Sequence, residues 1–407
     1  MHYLRLASRN LWRQPVRTSV AIAGILFGVA AYLLTAGFIE WIFWAMREGT
    51  IYSRLGHIQV TRRGFSTSGA SDPFSYLLSD KLRETVPFED FPEIRLISPR
   101  ISFTGLISNG STSISFIGEG VDPQKEKSIS RLLIISNGAG LSESDPKGIT
   151  LGEGLAANLG VRPGAKVVLL STPSSGGVNA VEAHVLGTFY TLSKQFDDSA
   201  LRVSMGLAQD LLRVSGAHYW ILLLDKTENT DHIADELRRR FSRSSQQLEF
   251  RTWSDMADFY RQTVNLYSRQ MTVLKAIIGL MILLSISNTI SMSVMERTGE
   301  IGTIMAMGIK QNNVLRVFVL EAFVLGVVGG VAGLILGAIL AKIISAVGIP
   351  MPPAPGMSHG FTGQILVSPW IAFSAFLIAI ISSTLAGLYP AWRASRLQIV
   401  DALRANR

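Results

Sequence analysis

Four long hydrophobic runs, with one long polar segment after the first of them, constrain this chain more than any other feature. The runs lie at 18–39, 276–295, 317–347 and 370–388. Each holds about the 20 apolar residues that a helix needs to cross the hydrocarbon core of a bilayer. Between the first two runs, residues 46–270 are polar enough to remain in water. The pattern predicts a membrane protein with four transmembrane helices, arranged as one plus three, and a large water-facing insert.

The basic residues indicate which side of the membrane each segment faces. Short loops rich in Lys and Arg stay in the cytoplasm, and the segments of this kind are 1–17, 296–316 and 390–407. The loop 348–368 has no Lys, Arg, Asp or Glu. We expect both termini in the cytoplasm, and the insert and the loop 348–368 outside. The three inner segments account for the whole net charge of +8, which argues against nucleic-acid binding.

These boundaries divide the chain into nine predicted segments. They are a cytoplasmic interfacial elbow helix (1–17), transmembrane helix 1 (18–45), an extracytoplasmic domain ending in a stalk helix (46–270), transmembrane helix 2 (271–295), a cytoplasmic coupling loop or helix (296–316), transmembrane helix 3 (317–347), an extracytoplasmic loop (348–368), transmembrane helix 4 (369–389) and a cytoplasmic tail (390–407). The chain has no cysteine, so the insert must be held by its own hydrophobic core rather than by disulfides.

The insert has the pattern of a mixed α/β domain. Short apolar or alternating runs bounded by Gly, Pro, Asn and Ser predict strands at 56–61, 101–108, 112–118, 166–171, 181–189 and 218–224. An apolar stripe predicts a helix over 229–241, and a strand at 248–252 would complete a β-α-β unit. From Ser254 the apolar residues recur at helical spacing into the second run. We expect one unbroken helix there, either as a stalk or as an ordinary packed helix.

Motifs that could mark an active site favour structural interpretations instead. Residues 152–157, Gly-Glu-Gly-Leu-Ala-Ala, resemble a dinucleotide-binding turn, but no ribose-binding carboxylate follows about 20 residues on. We expect a strand–turn–helix corner that ends at Gly160. Asp197 and Asp198 favour a solvated turn over acid/base chemistry. The six histidines are scattered singly, so we expect no metal site and no catalytic residue in this chain.

Glycines in the first and third runs are spaced four residues apart. This spacing places a smooth groove on one helix face and lets helices approach closely. The residues are Gly24, Gly28, Gly326, Gly329, Gly330, Gly333 and Gly337. We expect them to pack against other spans or against a second subunit.

The third run also carries an acid, Glu321, near Arg316. A carboxylate inside a membrane is costly unless it is paired or lies near the interface. We therefore expect an interfacial ion pair rather than a proton relay.

The segment after the second run carries a specific string of residues. Residues 288–312 read Asn-Thr-Ile-Ser-Met-Ser-Val-Met-Glu-Arg-Thr-Gly-Glu-Ile-Gly-Thr-Ile-Met-Ala-Met-Gly-Ile-Lys-Gln-Asn. We expect a short amphipathic helix whose aliphatic residues are exposed, namely Ile301, Ile304, Met305 and Met307. Exposed aliphatic side chains at a cytoplasmic face indicate a protein partner.

This string resembles the loop of the FtsX/MacB-type permeases of ABC transporters, which couples to a separate or fused ATPase. Residues 6–18 resemble the elbow helix of that family, and residues 388–404 resemble its closing segment. At Gly299 and Met305 this chain lacks the basic residues that family members often carry. The resemblance implies a set of ATPase-coupling residues: Glu296, Arg297, Gly299, Glu300, Ile301, Gly302, Ile304, Met307 and Gly308.

The resemblance also implies a fold and a function. It implies a MacB-like periplasmic domain and a permease of the bacterial inner membrane that works by mechanotransmission. In length and layout the chain is most similar to the lipoprotein-releasing subunits of the LolC/LolE type, which implies a lipoprotein or another lipidic substrate. The resemblance leaves the substrate-binding residues unknown.

The implied partners follow from the same resemblance. They are a cytoplasmic ABC ATPase subunit that binds ATP and Mg²⁺, a second permease copy or a homologous permease, membrane lipid, and a periplasmic carrier or outer-membrane partner. We expect no cofactor and no ATPase activity in this chain itself. The alternative function is a non-transporting sensor or scaffold that couples an ATPase or kinase to an extracytoplasmic protein.

The charge pattern generates a prediction about topology. A reporter fused after Arg407 is expected to report a cytoplasmic location, and a reporter inserted at Gly176 an extracytoplasmic one, because the basic segments stay inside. Paired phosphatase and fluorescent-protein fusions at both positions, at matched expression levels, measure this. A cytoplasmic signal from the Gly176 fusion would overturn the topology.

Overall fold

A computed structural model describes residues 15–69, 71–242, 246–308, 310–353 and 356–396. The predicted elbow helix and cytoplasmic tail therefore lie mostly outside the described residues. The described chain forms two compact units. The membrane unit contains 15–43, 263–350 and 362–396, and the insert unit contains 44–262 and 351–361, with the gaps given above.

The helices and strands alternate irregularly along the chain. The helices are α1 Pro15–Thr50, α2 Phe65–Ser68, α3 Asp80–Thr85, α4 Pro123–Ile129, α5 Glu153–Leu159, α6 Lys194–Asp197, α7 Met205–Leu212, α8 Thr230–Phe241, α9 Trp253–Met256, α10 Asp258–Glu296, α11 Thr298–Ala306, α12 Gln311–Val347 and α13 Pro369–Ser395. The strands are β1 Ile58–Arg62, β2 Ile94–Ser108, β3 Ser113–Val121, β4 Ile134–Gly138, β5 Gly148–Gly152, β6 Lys166–Ser171, β7 Asn179–Tyr190, β8 Ala200–Ser204, β9 Tyr219–Leu224, β10 Leu248–Thr252, β11 Ile349–Met351 and β12 Phe361–Gly363.

Four of these helices are long and apolar enough to cross a membrane. They are α1 with its continuation to Leu55, α10, α12 and α13. The first precedes the insert and the other three follow it. The predicted fold class, one plus three transmembrane helices around a large mixed α/β domain, is confirmed.

The glycines of α12 lie on two faces that pack against two other helices of the same chain. A Cβ atom added at Gly333 would lie 2.7 Å from the Cβ of Val29 and 2.8 Å from the carbonyl oxygen of Leu26, both on α1. Gly329 and Gly337 also face α1. The other face, with Gly326 and Gly330, lies against Ser383, Phe376 and Ala379 of α13.

The glycines of α1 are less crowded, and both of them face α10. A Cβ at Gly24 would lie 3.1 Å from the hydroxyl of Ser285, and one at Gly28 would make ordinary contact with Ile278 at 3.5 Å. Close approach of backbones, which small residues permit, is a main source of attraction between helices in lipid. The described glycine contacts therefore hold α1, α12 and α13 together within one chain.

The insert unit is built on one ten-stranded sheet. Its strand order is β10-β1-β9-β2-β3-β8-β5-β7-β4, and β6 pairs with both β2 and β7. Since β9 and β10 both run antiparallel to β1, which lies between them, they are parallel to each other. Helix α8 connects them, so the predicted β-α-β unit has β1 inserted between its strands.

Strand β9 is buried on both faces, which explains its unbroken apolar run. Alternate side chains of a strand point to opposite faces. One set packs with α8, namely Trp220, Leu222 and Leu224. The other packs with the end of the first transmembrane helix and with Trp253, namely Tyr219, Ile221 and Leu223.

The helix predicted from Ser254 onward is interrupted, and this part of the prediction is wrong. Ala257 separates α9 from α10 with the non-helical angles φ −98° and ψ 65°. A capping box between Thr252 and Asp255 stabilises the start of the single turn of α9. The ring of Trp253 then packs edge-on against Tyr260, with centroids 4.9 Å apart. The spacing of apolar residues stays helical across the break, so periodicity alone does not reveal it.

The contacts of Gly333 generate a stability prediction. Gly333→Leu is expected to destabilise the chain by about 1–3 kcal/mol, because the new side chain must separate α12 from α1. The measurement is the midpoint of thermal unfolding in detergent and the amount of chain in the membrane. Val331→Leu is the matched control, since Val331 is 43% exposed on the same helix. Equal loss in both variants, or no loss in either, would contradict this packing.

Two buried histidines of the insert generate a pH prediction. Burial lowers the pKa of both His57 and His218 to about 4. Each Nδ1 accepts a backbone hydrogen bond, from Leu224 N and Ser102 N respectively, both at 3.1 Å. Because the pKa in the folded chain lies below the ordinary value of about 6.5, each histidine contributes fully to the free energy of unfolding above pH 6.5. This contribution is lost as the pH falls toward 4.

Hydrogen exchange of the β9 amides, corrected for its intrinsic pH dependence, is expected to show this loss. In His57→Gln the loss between pH 6.5 and 4 is expected to be smaller, because glutamine does not gain a proton in this range. The control is His232→Gln, since His232 is exposed. The same pH dependence in the native chain and in His57→Gln would rule out His57 as the cause.

Candidate functional site: helix α11 and its exposed surface

Helix α11 is a separate short helix between two transmembrane helices, as the sequence string predicted. It is set off from α10 by Arg297, whose angles of φ −102° and ψ 14° are not helical. At its other end Gly308 has φ +94°, a conformation that favours glycine. The two interruptions allow α11 to point in a different direction from both α10 and α12.

The expectation of four exposed aliphatic side chains is wrong for Ile301 and Met305, whereas Met307 is exposed. Ile301 and Met305 are 5% and 9% exposed and belong to the core of the membrane unit. Residues four apart share one helix face, and this face packs inward. Gly302 is also buried, whereas Gly299 and Ile304 are half-buried.

The exposed face of α11 and the turn after it form what we term the coupling surface. Its members are Glu300, Thr303, Ala306, Met307 and Gly308. Met307 is the large apolar side chain of this surface and is 71% exposed. Met305, where the family often has a basic residue, is buried in this chain and lies outside the coupling surface.

An ion pair joins the start of α11 to α12. Arg297 Nη1 lies 3.1 Å from Glu321 Oε1, and its guanidinium lies over the ring of Phe318, 5.7 Å from the ring centroid. Arg297 also contacts Glu300 at 3.4 Å. Glu321 is only 3% exposed. The predicted ion pair of Glu321 exists, but the partner found is Arg297 rather than the sequence neighbour Arg316.

A second ion pair, which was not predicted, joins the end of α10 to α1. Arg17 Nη1 lies 2.5 Å from Glu296 Oε1. Both residues were recognised separately, one as a topology signal and one as part of the loop string. Their separation in sequence leaves no local signal of their contact. Glu296 and Arg297 therefore lie at the junctions between helices, while Glu300 and Met307 lie on the coupling surface.

The insert contains the other candidate motif, and its glycines serve close packing. A Cβ at Gly152 would overlap the backbone of Asp197, and one at Gly154 would overlap Asp198. The corner runs from β5 into α5 and ends at Gly160, with φ +70°. The structural interpretation of residues 152–157 is therefore consistent with the described geometry.

The two adjacent aspartates have different structural roles. Asp197 is 1% exposed and accepts hydrogen bonds from the backbone N and Oγ1 of Thr191. Burial raises the pKa of Asp197. Asp198 pairs with Lys194 at 2.7 Å. The expectation of a solvated turn is thus wrong for Asp197, which anchors the loop from within the core.

No metal-binding cluster of three or more His, Asp or Glu side chains occurs in the part of the chain that the structure describes. The candidate site is helix α11 with its exposed surface and its two ion-paired junctions.

Two family profiles match the sequence. The MacB-like periplasmic core domain matches residues 18–240, which is more than half of the 407-residue chain. The FtsX-like permease C-terminal family matches residues 272–399, which contain α11 and the three transmembrane helices that follow the insert.

Individual proteins similar in sequence to this chain include membrane proteins of transport systems. The lipoprotein-releasing system transmembrane protein LolC of Xylella fastidiosa is 24% identical, over 99% of this chain and 97% of its own length. An uncharacterised ABC transporter permease of Methanocaldococcus jannaschii is 25% identical, over 67% of this chain and 66% of its own.

A third relative is a larger protein. The macrolide export ATP-binding/permease protein MacB of Psychrobacter arcticus is 25% identical over 70% of this chain, but the match spans only 39% of MacB. With these two matches, over residues 18–240 and 272–399, this chain belongs to the family of FtsX-like ABC transporter permeases with a MacB-like periplasmic core domain.

Proposed function

We propose that this chain is the permease subunit of an ABC transporter that works by mechanotransmission on a lipoprotein or another lipidic substrate. In this proposal a separate cytoplasmic subunit binds ATP and Mg²⁺, and docks on the coupling surface. A second permease, identical or homologous, completes the complex in the inner membrane. A periplasmic carrier or an outer-membrane partner would receive the substrate.

The observation that carries the proposal is the two-sided character of α11. Ile301 and Met305 on its inner face are buried in the core of the membrane unit. Arg297, the residue before α11, pairs with Glu321 of α12. Its outer face carries Glu300 and Met307 into solvent. A partner that moves α11 would therefore move the transmembrane helices with it, because the buried face and the ion pair resist separation.

The substrate class rests on one relative. LolC of Xylella fastidiosa, named as part of a lipoprotein-releasing system, matches this chain over nearly the full length of both proteins. MacB, named for macrolide export with ATP binding, matches over a minor part of its length. The sequence of this chain contains no P-loop motif, which supports placing ATP in another subunit.

Charge changes on the coupling surface are expected to uncouple the ATPase without unfolding this chain. Met307→Asp alters an exposed position, where the folding cost is within about 0.5 kcal/mol, and Glu300→Lys in addition removes the 3.4 Å contact with Arg297. At a docking surface the same charge must be buried or repelled, which costs about 2–5 kcal/mol of binding. The measurements are the amount of ATPase that co-purifies with each variant and its activity.

Val178→Asp provides the matched control. Val178 is 75% exposed, close to the 71% of Met307, but lies in the loop between β6 and β7 of the insert. Normal membrane levels with lost ATPase in Met307→Asp, and retained ATPase in Val178→Asp, would support the proposal. A fully retained and active ATPase in both would reject the coupling role and favour the sensor or scaffold function.

A further inference from the structure

The short helix that continues α1 into the insert unit is capped by hydrogen-bond donors from the same unit. After Thr50 the helix continues as a π-helix over Ile51–Leu55. The last carbonyl groups of a helix lack partners within the helix. Here the Tyr52 oxygen accepts from Leu132 N at 3.0 Å, the Ser53 oxygen from Arg202 Nη2 at 3.0 Å, and the Arg54 oxygen from Arg100 Nη1 at 2.8 Å.

The two arginine donors are almost completely buried. Arg100 on β2 is 0% exposed and Arg202 on β8 is 2% exposed. Strand β3 lies between them in the sheet and contributes Glu119, which is 3.3 Å from Arg100 and 3.1 Å from Arg202. Glu126 on α4 pairs with both arginines, at 2.5 Å and 3.2 Å. Removing either arginine would take one partner from each of the two buried glutamates, which is destabilising.

Electrostatics explain why the cluster stays ionised. Burial by itself would raise the pKa of Glu119, but the charges of Arg100, Arg202 and Arg54 outweigh burial and lower that pKa to about 2. With three arginines and two glutamates, the cluster has an excess of positive charge. That charge lies at the carboxyl end of a helix, where the macrodipole is negative and favours cations.

We propose that Arg100 and Arg202 are positioning residues of the transport cycle. By capping the π-helix they make the outer end of α1 and the β2–β3–β8 part of the sheet move as one rigid body. Their place in the transport cycle rests on the proposed function, whereas the rigid joint does not.

The absence of cysteine allows a direct measurement of the joint. Spin labels at Trp44→Cys, near the outer end of α1, and at Lys166→Cys, on β6, report the distance across it. Trp44 is 47% exposed and the Lys166 side chain 82% exposed, so both positions accept a label. In the purified complex, the distance distribution is expected to be narrow and to stay unchanged when ATP and vanadate are added.

Arg202→Lys is the test variant, because lysine keeps the charge but lacks the planar fork that reaches Ser53 and Glu119 together. We expect a distribution about twofold broader, and a mean distance that now shifts with ATP and vanadate, at retained ATPase activity. Arg54→Lys is the matched control. The Arg54 side chain also pairs with Glu119, at 3.3 Å, whereas Arg100 and Arg202 in addition donate hydrogen bonds to backbone carbonyls of the π-helix.

The outcomes distinguish a failure of the rigid joint from a failure of the proposed function. A broad or nucleotide-dependent distribution in the native chain would overturn the proposal, even if Arg202→Lys failed to fold. An unchanged narrow distribution in Arg202→Lys would overturn it as well. If no ATPase co-purifies, the labelled chain alone still shows whether the joint is rigid, and only the proposed function fails.

Discussion

Close contact between glycine faces of α12 and two other helices is the constraint on which the membrane unit depends. In lipid, hydrophobicity does not draw one helix to another, since the hydrocarbon is as apolar as the side chains. Attraction must come from tight packing and from polar contacts. Gly329 and Gly333 face α1, and Gly326 and Gly330 face α13, so a single helix organises two neighbours. The positions of α10 and α11 are then determined by packing onto this framework.

Buried or half-buried ion pairs complete the unit where helices change direction. Arg297 and Glu321 connect the start of α11 to α12, and Arg17 and Glu296 connect the end of α10 to α1. In the insert, Arg100 and Arg202 connect the sheet to the backbone at the end of α1. Such pairs need defined geometry, because desolvated charges are costly when misplaced. They therefore favour one arrangement of the helices at each junction.

The sequence predicted elements well and contacts poorly, and particular residues show why. The strand at 218–224 and the helix at 229–241 were found within a residue of their predicted bounds, because alternation and helical periodicity are local properties. The break at Ala257 was missed, since alanine favours a helix and the apolar spacing continues across it. Ile301 and Met305 were correctly placed on one face, but periodicity does not reveal whether that face meets a partner or the protein's own core.

By itself, the sequence determined the four spans, the insert between the first two, and the loop string of an FtsX-like permease. Each depends on residues that are close together in the chain, where composition and spacing carry the physical signal. The tertiary structure decided which helix each glycine faces, that Glu321 pairs with Arg297, and that Arg202 caps Ser53. These contacts join residues far apart in sequence. Their energy depends on distance and burial in the folded chain, which local patterns do not contain.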